Sequence, residues 1–124
     1  MAKKKKPISI ASRKAKGRKL QRIAAEYISK VTGIPIEKDG DIDMRLMGDS
    51  GRDVILRGKA KEMFTFHGIE CKWNEKLQIW QAIKQAEEHG GKPIVFFKRN
   101  NSDVYVVTKI EDFFDLYKKT LEKD

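Results

Sequence analysis

Apolar residues first recur with a helical period between Lys16 and Val31, where Leu20, Ile23, Ala24, Tyr27, Ile28 and Val31 share one face. The spacing predicts a helix there, ended by Gly33 and Pro35. Residues 1–14, with Pro7 and little periodicity, read as an arm. From Asp41 to Leu46 polar and apolar positions alternate, as in a half-buried strand. MGDSGRD (47–53) holds two glycines and reads as a tight turn. Val54-Ile55-Leu56 is a short apolar strand, Gly58 to Met63 a connection or one helical turn, and Ile69 to Trp73 a third strand. A helix is expected from about Asn74 to His89, closed by Gly90-Gly91. Its glutamines Gln78, Gln81 and Gln85 stand opposite Leu77, Trp80 and Ile83. The unbroken apolar run Pro93 to Phe97 predicts a central strand covered on both faces. Asn100-Asn101-Ser102 turns the chain into a strand from Val104 to Thr108. A last helix is expected to bury Ile110, Phe113, Phe114, Tyr117 and Leu121. The order α-β-β-β-α-β-β-α implies an α/β fold, a mixed sheet of about five strands with helices on both sides.

Composition narrows the class. With 124 residues, 40% hydrophobic and 9% aromatic, the chain suits one folded domain, divided here into a flexible basic arm (1–14) and a single domain (15–124). No window approaches the roughly 18 consecutive apolar residues of a membrane span, so no membrane partner is expected. A single cysteine makes no internal disulfide and suits a reducing, cytoplasmic setting. One Cys and two distant His also exclude a Cys/His zinc site.

Charge is unevenly placed. Ten of the 27 basic groups lie in residues 1–22, which hold no acid, leaving 17 bases against 18 acids in the rest. Such a cationic segment suits a polyanion, and nucleic acid is the expected partner. A solvated tail that aids solubility and, for KKKKP, a nuclear-import signal are the other readings.

Glu70-Cys71-Lys72 is the only acid-x-Lys triplet in the chain. In a strand, Glu70 and Lys72 share one face, while Ile69, Cys71 and Trp73 take the other. If the strand 54–56 pairs with 69–73, Asp53 converges with Glu70 on one divalent ion. Two carboxylates form a hard oxygen site suited to Mg²⁺ or Mn²⁺. Lys72 would then stabilise charge on an attacking hydroxide or a phosphate in transfer. This is chemistry for cutting a phosphodiester.

These residues, Asp53 followed by Glu70-x-Lys72 and a glutamine-bearing helix, resemble the PD-(D/E)xK nuclease superfamily. KGRKLQ (16–21) resembles its first-helix motif, MGDSGRDVIL (47–56) its aspartate motif and IECKWNEKLQIW (69–80) its Glu-x-Lys motif. IKQAEEHGGKPIVFFKRN (83–100) resembles the helix and strand that follow. Within it the motifs resemble those of small phage-encoded endonucleases grouped with Holliday-junction resolvases of the archaeal type. The resemblance implies a restriction-endonuclease-like core. It implies that Asp53 and Glu70 hold the metal with the main-chain carbonyl of Cys71, that Lys72 is catalytic, and that Gln85 contacts DNA or the lysine. Gln21 stands where many members carry a metal-holding glutamate, and Arg57 where related sequences favour a small polar residue.

The expected activity is a metal-dependent DNA endonuclease, either junction-selective or nicking. Arg13, Lys14, Lys16, Arg18, Lys19, Gln21 and Arg22 would contact the nucleic acid. A resolvase cuts two symmetric strands and would be a homodimer. A DNA-binding protein that kept the fold without catalysis is the alternative, and an RNA-processing nuclease a third reading. Plain surface chemistry competes at several positions: Glu70–Lys72 as a simple ion pair, Asp41, Asp43 and Arg45 as a solvated charged face. His67 and His89 read as structural or solvated, and Phe64, Phe66 and Trp73 as core rings or base-stacking surfaces.

Overall fold

The computed structural model describes residues 10–44 and 53–122. Residues 47–52 of the expected turn at 47–53, Arg45, Leu46 and the lysine run at 3–6 lie outside the described residues. The first helix, α1 (Ile10–Thr32), begins earlier than its apolar stripe suggests, so Arg13 and Lys14 are helical and not part of an arm. Lys14, Arg18 and Arg22 repeat every four residues and form one exposed row. The opposite stripe, Leu20, Gln21, Ala24, Ala25 and Ile28, is buried.

Strands β1 (Ile42–Met44) and β2 (Val54–Leu56) form an antiparallel pair. Arg57 ties this pair together, donating to the Gly40 carbonyl at 2.8 Å and lying 3.3 Å from the Asp43 carboxylate. The Asp41 carboxylate accepts the Lys59 main-chain N–H at 3.1 Å. Both acids are therefore structural. A short helix, α2 (Gly58–Met63), leads to β3 (Gly68–Trp73). Then come α3 (Ile79–Glu88), β4 (Pro93–Lys98), β5 (Tyr105–Thr108) and α4 (Ile110–Glu122).

The architecture is α/β, but the strands form two sheets, β1-β2 and β3-β4-β5 with β4 central, and not the expected restriction-endonuclease-like core with one sheet of about five strands. β3 runs parallel to β4, and β5 antiparallel. The expected pairing of 54–56 with 69–73 does not occur. The Asp53 side chain takes the place of a strand partner, its Oδ2 accepting the Cys71 main-chain N–H at 2.6 Å.

Helices cover both faces of the three-stranded sheet. On one side Leu20, Ala24, Ala25 and Ile28 of α1 join Ile69, Ile94 and Phe96 in the main core. On the other, Ala82 and Ala86 of α3 pack on Val95. Small residues let α3 lie close, and Gly68 shows how close: a Cβ there would collide with the Ala86 carbonyl oxygen. Gly90 and Gly91, at φ +83° and +73°, then turn the chain sharply from α3 into β4.

Two helical faces depart from expectation. α3 starts at Ile79, not Asn74, and turns Ala82 and Ala86 inward, which leaves Trp80 80% exposed. α4 buries only Asp112, whereas Ile110, Phe113, Phe114, Tyr117 and Leu121 are 53–76% exposed. The reason is topological: α1 and α3 already occupy the faces of β3 and β4. The α4 rings pack on one another, Phe113 edge-on to Phe114 at 5.3 Å and stacked with Tyr117 at 6.3 Å.

Candidate active site

The site is built along the edge of β3 that β4 leaves open. Asp53 reaches it from the residue before β2 and is fixed there by the Cys71 N–H. From α1, the buried Gln21 directs its Nε2 to Asp53 Oδ1 at 3.4 Å. Glu70, on β3, is 6% exposed. Its Oε2 lies 3.5 Å from Lys72 Nζ, because alternate residues of a strand share a face. Its Oε1 is bonded to Nε2 of His89, the residue that caps α3. The close approach of α3 at Gly68 brings that imidazole within reach.

The electrostatics follow from this crowding. Burial, reinforced by the neighbouring Glu70 charge, pushes the Asp53 carboxyl up from its ordinary 3.8 to about 6, against the Cys71 N–H and the Lys72 and His89 charges. Burial likewise drives the Cys71 thiol well above its ordinary value, reinforced by Asp53 and Glu70, which disfavours the thiolate. Two repelling carboxylates in a partly buried cleft are a setting that a divalent cation would relieve. Gln21 Oε1, on the amide whose Nε2 points to Asp53, is buried with no hydrogen-bond partner among the described residues. The described residues contain no group of three or more His, Cys, Asp or Glu side chains arranged to hold an ion. The donor set is therefore lean: two carboxylates, an amide oxygen and, as the resemblance implies, the Cys71 carbonyl. Such a set fits Mg²⁺, which keeps several waters and binds through one or two carboxylates.

Beside Lys72 lies a polar depression of about 260 Å³, lined also by Lys76, Gln78, Gln81 and Gln85. Gln85 Oε1 is buried without a partner among the described residues. The structure thus gathers Asp53, Glu70, Cys71, Lys72 and Gln21 in one place and sets Gln85 at its edge. Comparison with protein-family models, curated proteins and solved structures finds no match. The PD-(D/E)xK resemblance accordingly rests on the sequence motifs alone.

Of the expected nucleic-acid contacts, Lys16 and Lys19 turn toward Trp73. Arg13, Lys14, Arg18 and Arg22 are exposed on α1. Phe66 is a core ring and Phe64 packs against that core. His67 bonds the Lys61 carbonyl at 2.7 Å, a structural contact. His89, read from sequence as structural or solvated, instead touches the site through Glu70. No spacing rule links residues 70 and 89; the signal lay in the Gly90-Gly91 turn, which fixes where α3 ends. Among the described residues no helix is long and apolar enough to cross a membrane.

Proposed function

We propose that the protein is a metal-dependent DNA endonuclease of the PD-(D/E)xK type. One observation carries the reading: Asp53, held at the open edge of β3 by the Cys71 N–H, is close enough to feel the Glu70 charge, and Lys72 Nζ lies 3.5 Å from Glu70. Asp53 and Glu70 would hold Mg²⁺ or Mn²⁺, with the Cys71 carbonyl and Gln21 Oε1 as neutral donors. An ion held there would supply Lewis acidity toward water and a phosphate oxygen.

The chain's own groups do the remaining work. The Cys71 N–H and Gln21 amide orient Asp53, and His89 steadies Glu70 on the side away from Lys72. Lys72, 28% exposed in its side chain, is free to turn its ammonium from Glu70 to a phosphate oxygen and stabilise the charge that develops there. The glutamine-lined depression offers amide donors to the flanking strand. The ten basic groups of residues 1–22 supply attraction that does not depend on sequence.

The test is cleavage of labelled linear duplex, single strand and four-way junction with Mg²⁺ or Mn²⁺, by wild type and Lys72→Ala. Metal-dependent cutting lost in the variant is expected. Symmetric nicks confined to the junction would select a resolvase, which must act as a dimer. Binding without cutting by both proteins would leave a DNA-binding module and refute the enzyme.

A further inference from the structure

Trp73, the last residue of β3, collects three lysines from distant parts of the chain. Lys98 Nζ lies 4.1 Å from the ring centroid, Lys16 Nζ 5.8 Å and Lys19 Nζ 5.9 Å. The indole Nε1 donates to Asn100 Oδ1 at 2.9 Å, and the same oxygen accepts from Lys16 Nζ at 2.9 Å. One side chain in the turn after β4 thus fixes both the ring and a lysine of α1.

The chemistry of the pairing matters. An aromatic face attracts an ammonium group through its quadrupole, by about 0.5–1 kcal/mol at an exposed site, yet carries no formal charge. Three cations are therefore held together without being neutralised. None of the three is in an ion pair among the described residues. The nearby acid Glu75 accepts the Asn100 main-chain N–H at 3.2 Å. The gathered positive charge is available to an incoming anion.

We infer that Trp73, Lys16, Lys19 and Lys98 form a clamp for backbone phosphates of DNA beside the carboxylate site. The choice of DNA rests on the nuclease reading. Trp73 directly follows Lys72, so the clamp and the catalytic lysine sit at the same end of β3 on opposite faces. A duplex strand presenting one phosphate to Lys72 carries its neighbouring charges at steps of about 3.4 Å along the helix axis, so further phosphates are available to groups at the same end of β3. The contacts are to phosphate, so they position the strand and read no sequence.

Trp80→Phe replaces the 80%-exposed second indole and leaves Trp73 as the sole tryptophan emitter. Titrating this protein with a short DNA duplex in metal-free buffer should change Trp73 emission saturably. Adding Lys16→Gln and Lys98→Gln should weaken binding roughly tenfold at moderate salt and flatten the log–log salt dependence by about 0.9 for each phosphate no longer neutralised. Lys98→Gln alone, whose ammonium group among the described residues meets only the ring, serves if circular dichroism shows that the double variant is misfolded. Unchanged affinity and salt slope in the lysine variants, or Trp73 emission indifferent to DNA, overturns the clamp. Cleavage in Mg²⁺ is scored separately. Lysine-dependent binding without cutting upholds the clamp and refutes the nuclease, whereas cutting with lysine-independent binding refutes the clamp alone.

Discussion

Helices α1 and α4 both look amphipathic in sequence, yet they are used in opposite ways. α1 buries its stripe against β3 and β4 and inserts one polar residue, Gln21, into the site. α4 displays its apolar face and buries one acid, Asp112, 3.9 Å from Lys92. Periodicity therefore identifies a helix and its apolar face, but whether that face is covered depends on which sheet surfaces other elements already hold. In this chain packing and chemistry concentrate at the α1–β3 edge, and the β5–α4 end contributes exposed apolar surface.

The contrast should be sharpest in activity. Glu70→Ala at the α1–β3 edge is expected to lower metal-dependent DNA cleavage by on the order of 10³-fold or more. Tyr117→Ala on α4 should stay within about twofold. A comparable loss from Tyr117→Ala would place α4 in the working enzyme and break the contrast.

Stability is the next probe. Ile28→Ala, at a position 1% exposed, should cost about 2–5 kcal/mol in urea unfolding. Leu121→Ala, 71% exposed, should cost no more than about 0.5 kcal/mol. Equal costs would mean that the α4 face is covered in solution.

A smaller effect belongs to Asp53. Its folded pKa of about 6 lies above the ordinary 3.8, so the native state binds the extra proton between those values. Stability falls as pH rises through that window, and the penalty is complete above it. In metal-free buffer Asp53→Asn should therefore be more stable than wild type by about 1–3 kcal/mol at pH 7.5, a gain that fades below about pH 4. A constant difference across pH would show that Asp53 is not strained by its surroundings.

Much of this was legible in the chain. The two-residue period of β3 placed Glu70 and Lys72 together, and the unbroken apolar run of β4 marked the central strand. The division into two sheets was not legible, because it turns on a side chain, Asp53, bonding a main-chain N–H that a strand would otherwise pair. His89 beside Glu70 and three lysines around Trp73 are products of tertiary packing between segments up to 82 positions apart. Arg57, a departure without a reason in sequence, braces the β1–β2 pair.

The most direct measurement is calorimetric titration with Mn²⁺ of wild type and of Asp53→Asn/Glu70→Gln at pH 7.5 and pH 5. A shared carboxylate site requires saturable binding by the wild type at pH 7.5, weaker binding at pH 5 as Asp53 becomes protonated, and none by the variant. Identical isotherms for the two proteins, or no saturable binding by the wild type, would contradict a metal centre at Asp53 and Glu70.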